Sequence, residues 1–143
     1  MRPDPDPRVI AWVDGQPVPD LMITSITAAE LRAGAALLPA GRRRVRISER
    51  VEALIDETFA GSVLPFDVDS SAQYAEIVSR RTHAGTPIAA LDAQIAAICR
   101  QYEATLATRN QRDFVETGVD LVDPWTAADG SASHGNVRRD LTV

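Results

Sequence analysis

The chain has 143 residues, of which 45% are hydrophobic, and its formal net charge at pH 7 is -5. This length fits one domain with a buried core, and the acidic balance argues against general binding of nucleic acid. No run approaches the roughly 18 apolar residues of a membrane helix, and the start, MRPDPDPRVI, does not have the pattern of a signal peptide. The single Cys99 lies in an apolar segment, which predicts a buried thiol in a cytoplasmic protein.

Short apolar strands alternate with helices along the chain. We predict helices over residues 6–14, 25–38, 42–59 and 69–84 and a helix that contains Asp92, with strands over residues 20–24, 62–67, 104–108 and 118–125. This alternation is typical of a mainly parallel sheet with helices on both faces, in which functional sites form at the carboxyl ends of the strands. The Gly/Ser/Asp-rich residues 127–143 are expected to form a flexible tail.

Glu30 interrupts an apolar stripe in the helix that starts at Ser25. The stripe follows helical spacing and consists of Ile26, Ala29, Ala33 and Leu37. We therefore expect Glu30 to point inward, where an ionised carboxylate needs either a distant Arg or a bound cation.

Two further acids occupy positions of the same kind. Asp92 stands at the head of an apolar helix, and Asp113 follows the strand predicted over residues 104–108. Taken singly, each is explained as a helix or turn cap. Together with Glu30, both are expected at one end of the sheet, and a cluster of carboxylates favours Mg²⁺ or Mn²⁺ over zinc.

The run GRRRVR contains three consecutive basic residues, Arg42, Arg43 and Arg44. Such a run is most often the solvated side of a helix start, and the alternative is contact with a polyanion or an acidic partner. The chain contains no GxSxG, P-loop or GxGxxG motif.

Five stretches of the sequence carry a resemblance to a known family. They are TSITAAELRAGAALLPAGRRR, VLPFD, GTPIAALDAQIAAICR, LATRNQRDF and GVDLVDPW. In order and spacing they resemble PIN-domain proteins, in particular VapC-type toxins of type II toxin–antitoxin modules and their FitB-like branch. The resemblance implies a single PIN-like α/β domain over residues 1–126.

The resemblance also implies an activity and a set of site residues. The expected activity is that of an Mg²⁺- or Mn²⁺-dependent endoribonuclease toxin, with Glu30, Asp92 and Asp113 as catalytic metal ligands and Thr108 and Asn110 in support. The expected partners are RNA, a VapB-like antitoxin and a second copy of the chain. Promoter DNA is expected to be bound only through the antitoxin.

The sequence departs from the family pattern at its start. The family opens with a strand of the form xxLDTNVxSE, whose Asp is the first metal ligand, just before the segment that matches MRPDPDPRV. We therefore expect an N-terminally truncated domain that lacks a central strand, and an in-frame Asp-Thr-Asn upstream in the gene. The alternative function is an inactive protein that only binds antitoxin, as a repressor partner or a decoy.

Overall fold

A computed structural model describes residues 21–124 and 139–141 of the chain. The helix predicted over residues 6–14 lies outside the described residues. Four α-helices and five strands follow one another in the order β1 Leu21–Thr24, α1 Ser25–Ala36, α2 Arg42–Ala53, β2 Val63–Leu64, α3 Val68–His83, α4 Ala90–Gln101, β3 Thr105–Ala107, β4 Leu121–Val122 and β5 Arg139–Leu141.

The five strands form one sheet in the order β2-β1-β5-β3-β4. All four neighbouring pairs are parallel. The carboxyl ends of β1 and β3 therefore lie at the same edge, and each continues into a segment that carries a predicted site acid. This confirms the predicted α/β class and its parallel sheet.

Alternate residues of the strands face two separate hydrophobic cores, as the pleat of a strand requires. Met22 and Leu106 pack with α3 and α4, whereas Leu21, Ile23 and Ala107 pack with α1 and α2. Helices therefore cover both faces of the sheet, as predicted. No helix within the described part of the chain is long and apolar enough to cross a membrane.

The observed elements are mostly shorter than the predicted ones. The strand expected over residues 62–67 is reduced to Val63–Leu64, because Pro65 cannot donate a ladder hydrogen bond. The helix expected over residues 42–59 continues past Ala53 as a π-helical turn, Leu54–Thr58. This turn keeps Ile55 and Phe59 buried, whereas Leu54 is exposed.

The central strand β5 comes from a segment for which no strand was predicted. Residues 127–143 were expected to form a flexible tail, yet Arg139–Leu141 pairs with β1 on one side and with β3 on the other. The central position that was expected to lack a strand is therefore occupied. The physical reason is that β1 and β3 each present a row of backbone donors and acceptors, and a strand between them satisfies both rows.

Candidate active site

Asp92 is positioned by the most deeply buried helix of the fold. It is the third residue of α4 and is partly buried, and five consecutive residues of the same helix, Ile95 to Cys99, are at most 1% exposed. The N-cap position of the helix is Ala89, and no side chain makes a capping hydrogen bond there, so Asp92 does not act as the cap. The burial of Cys99 also confirms the prediction for the thiol.

Asp113 lies in a short 3₁₀ helix, Gln111–Phe114, which follows β3. Thr108 and Asn110 shape the turn between β3 and this short helix. The Thr108 hydroxyl accepts a hydrogen bond from the Asn110 amide at 3.1 Å, and the Asn110 carbonyl accepts one from the Asp113 amide at 3.1 Å. Phe114 anchors the segment, because its side chain is 3% exposed within the core. Asp113 itself is exposed at this edge.

Glu30 lies in the second turn of α1, directly after β1. The buried Thr24 is the N-cap of this helix, and its hydroxyl accepts a hydrogen bond from the Thr27 amide at 3.0 Å. The prediction that Glu30 points inward is wrong. The helix buries Thr27, Ala28 and Ala35, while Glu30 is exposed together with the predicted stripe residues Ala29, Ala33 and Leu37.

The three acids interact electrostatically across this edge of the sheet. Although Glu30 is exposed as a whole, desolvation of its carboxyl group raises its pKa, and the charge of Asp92 raises it further. The pKa of Asp92 is raised first by partial burial and then by the charge of Asp113. Asp92 thus interacts electrostatically with each of the other two acids, and ionisation of one carboxyl group disfavours ionisation of its neighbour.

None of the salt bridges between described residues pairs an Arg with Glu30, Asp92 or Asp113. The salt bridges found there join Arg32 to Glu52 and join Glu76 to Arg80 and Arg100. Arg32, which is on the same helix as Glu30, makes a two-bond pair with Glu52 at 2.9 and 2.7 Å. The alternative in which a distant Arg pairs with Glu30 therefore has no support here.

The carboxylates suit a hard divalent cation by their chemistry, because oxygen is the donor that such ions prefer. Among residues 21–124 and 139–141, however, no three His, Cys, Asp or Glu side chains come close enough to hold one ion. Carboxylates that repel one another without a cation between them are expected to stand apart.

The Arg run lies on a different helix from Glu30, Asp92 and Asp113. Arg42, Arg43 and Arg44 are exposed in the first turn of α2. About 9 Å of α1 follows Glu30 before the chain turns into α2. A cleft of about 420 Å³ on α2 and the following π turn is lined mainly by acids, so it would repel a phosphate backbone.

A cleft of about 340 Å³ lies beside Asp113 and is lined by the residues from Arg109 to Asp113. It combines one acid with two basic residues, Arg109 and Arg112. Basic and acidic side chains therefore line the same cleft, next to Asp113.

Sequence reasoning missed one residue near the acids, Arg81. It is only 6% exposed and donates to the carbonyl oxygens of Thr86, Asp113 and Val115. The sequence did contain a sign that Arg81 is buried, because Arg81 continues the apolar spacing of Tyr74 and Ile77 on α3.

Comparison with known proteins decides the family. The model of the PIN domain matches residues 1–119. The chain belongs to the PIN-domain family. It is 42% identical over 125 residues to toxin FitB of Neisseria gonorrhoeae, and this match covers 87% of this chain and 90% of FitB. It is 39% identical over 127 residues to VapC ribonuclease Y4jK of Sinorhizobium fredii, which covers 89% of this chain and 91% of the relative.

Solved structures support the same assignment. The structure of FitAB bound to an IR36 DNA fragment superposes with a TM-score of 0.81 at 40% identity, and the match covers 94% of this chain and 91% of that chain. The parallel sheet described above is therefore the sheet of a PIN domain of the VapC and FitB group.

Proposed function

We propose that this PIN-domain protein is a toxin that hydrolyses RNA with the help of Mg²⁺ or Mn²⁺ and is neutralised by a cognate antitoxin. The observation that carries the proposal is the electrostatic coupling of Glu30, Asp92 and Asp113 at the carboxyl edge of the sheet. The names of the relatives support the class of reaction, since one is a VapC ribonuclease and another is a toxin.

Glu30, Asp92 and Asp113 are the residues that would hold the metal. When bound, such an ion lowers the pKa of a coordinated water and neutralises charge that develops on a phosphate during hydrolysis. The protein contributes the placement of the carboxylates: α4 supplies a rigid base for Asp92, and the hydrogen bonds of Thr108 and Asn110 hold the turn that leads to Asp113.

Binding of RNA needs local positive charge on a chain whose net charge is -5. Arg109 and Arg112 supply it next to Asp113, in the cleft already described. We assign this cleft to the phosphate backbone of RNA. Contact between Arg42, Arg43 or Arg44 and a polyanion or an acidic partner stays a prediction, and it would take place at a second surface.

The partners follow from the solved relatives. FitAB and VapBC complexes have been solved with DNA fragments, in the second case a fragment of their own promoter. We propose that this chain likewise binds an antitoxin that makes the contacts to promoter DNA, and that the chain itself forms a homodimer.

The test is cleavage of total RNA by the purified chain with Mg²⁺, with Mn²⁺ and with EDTA. Cleavage is expected only with a divalent ion and is expected to fall to background in Glu30→Gln, Asp92→Asn and Asp113→Asn. Asp69→Asn is the matched control, because it replaces an exposed acid in the first turn of a different helix. Cleavage that persists in EDTA, or in all three variants, would rule out the metal-dependent mechanism.

A second function has one observation in its favour. Arg139–Leu141 forms the central strand of the sheet, where the family resemblance implies a first strand that carries an acid. A protein that binds antitoxin without cutting RNA is therefore the alternative. Tight binding of the antitoxin encoded beside the gene, without cleavage under any ion, would favour it.

A further inference from the structure

Arg81 is a buried cation close to the end of α3. Its side chain occupies the inward face of the helix, one turn after the fully buried Ile77. None of the salt bridges among the described residues involves Arg81. Since a buried charge without compensation is costly, its hydrogen bonds must satisfy the guanidinium.

Three carbonyl oxygens provide that compensation. Arg81 Nε donates to the Thr86 carbonyl at 2.6 Å, and Nη1 donates to the carbonyls of Asp113 at 3.2 Å and Val115 at 2.6 Å. The backbone carbonyl of Arg81 in turn accepts from the Thr86 amide at 3.0 Å. One side chain thus joins two loops that are far apart in sequence.

These two loops position the acids of the proposed site. Thr86 lies in the segment that leads into α4, whose first turn carries Asp92. The other two acceptors are the carbonyl of Asp113 itself and that of Val115, two residues further on. The guanidinium therefore fixes the backbone on both sides of the gap between Asp92 and Asp113.

We propose that Arg81 is a positioning residue that sets the separation of Asp92 and Asp113 and thereby the affinity of the site for a divalent ion. This inference rests on the proposed function. Lys cannot replace Arg81 in this role, because a single ammonium group cannot donate from two separate nitrogens in the fork geometry of a guanidinium.

The test uses the full chain in three forms: Arg81→Lys, which keeps the charge, Arg81→Met, which removes it, and Arg80→Met as the control. Arg80 is the neighbouring residue but is exposed and pairs with Glu76 on the surface. Amide hydrogen exchange is measured without metal, and the buried α4 amides of Ala97 and Ile98 serve as an internal reference for global stability.

In Arg81→Lys, exchange is expected to become faster at the amides of Thr86 and Asp113 while the reference amides stay protected. Titration with Mn²⁺ alone is expected to give a dissociation constant about 10- to 100-fold weaker than that of the wild type, the range typical of residues that orient metal ligands. Arg80→Met is expected to match the wild type in both measurements. If Arg81→Met does not fold, Arg81→Lys still decides the question.

Unchanged exchange at Thr86 and Asp113 in Arg81→Lys would overturn the positioning role, whether or not the protein binds an ion. Faster exchange with an unchanged Mn²⁺ dissociation constant would show that Arg81 is only structural, which also overturns the inference. A wild-type chain that binds no Mn²⁺ and cuts no RNA would instead refute the proposed function, and the exchange data would still report whether Arg81 joins the two loops.

Discussion

The two helices that carry Glu30 and Asp92 differ in how they are held, although each has 12 residues. α4 buries six residues against the core and holds Asp92 at its start. α1 buries only Thr27, Ala28 and Ala35, and Glu30 stands on its exposed side. The comparison shows that a site at a sheet edge can combine a carboxylate on a deeply buried helix with one on the exposed side of a less buried helix.

The strand β5 lies between the strands next to these two helices. β1, which leads into α1, and β3, which follows α4, are joined in the sheet only through Arg139–Leu141 among the described strands. Asp140→Pro removes a backbone donor from this central strand and is expected to have the largest effect, a loss of several kcal/mol of unfolding free energy. Asp140→Ala, which keeps the backbone donor, is the control in urea unfolding. Equal stability of the two variants would show that β5 contributes little to the sheet.

The next largest effect is expected within α4. Ile98→Ala removes a fully buried side chain and is expected to lower the unfolding free energy by about 2–5 kcal/mol. Leu37→Ala, just past the end of α1, removes a side chain that is 85% exposed and should change the unfolding free energy by no more than about 0.5 kcal/mol. Urea unfolding of both variants measures the difference, and similar losses would contradict the contrast between the helices.

The start of α1 depends on a side-chain cap, whereas the start of α4 does not. Thr24→Val keeps the shape of the side chain and removes the hydroxyl that accepts from the Thr27 amide. We expect a loss of about 0.5–2 kcal/mol in unfolding free energy. Thr105→Val, at a strand residue, is the control, and a loss no larger than that of the control would refute the role of the cap.

The smallest effect concerns pH. Because folding raises the pKa of Asp92, its contribution to stability is most favourable below the ordinary Asp pKa of 3.8 and is lost as pH rises through the folded pKa. In metal-free protein, Asp92→Asn should therefore be more stable than the wild type at pH 7, by less than about 1 kcal/mol because water screens the site.

The advantage of Asp92→Asn should disappear as pH falls below the unfolded pKa, where both side chains are neutral. Urea unfolding at several pH values with EDTA checks this. A stability difference that does not depend on pH would show that packing, and not charge, is responsible.

Much of the fold could be predicted from local patterns. The segment around Asp92 combines branched apolar residues with alanines, so its apolar character pointed to a buried helix. α1 misled the same reasoning because it is rich in Ala. Alanines occupy both its buried side, at Ala28 and Ala35, and its exposed side, at Ala29 and Ala33, so the alanines do not mark the inward face, and contacts with the sheet and α2 decide it.

Part of the candidate site could also be predicted. Glu30, Asp92 and Asp113 were expected at one edge of the sheet, and the structure brings them into electrostatic contact in pairs. Arg81 could not be assigned from its sequence neighbours, because two of its three acceptors lie more than 30 residues away along the chain.

The sequence by itself determined the α/β class, the order of helices and strands, and the acids at the carboxyl edge. These follow from hydrophobic periods and turn residues, which act over a few positions. Only the tertiary structure decided that Arg139–Leu141 is the central strand, that Glu30 faces outward, and that Arg81 joins two loops. Each of these depends on backbone or surface groups from distant segments, and no local pattern records which distant groups will meet.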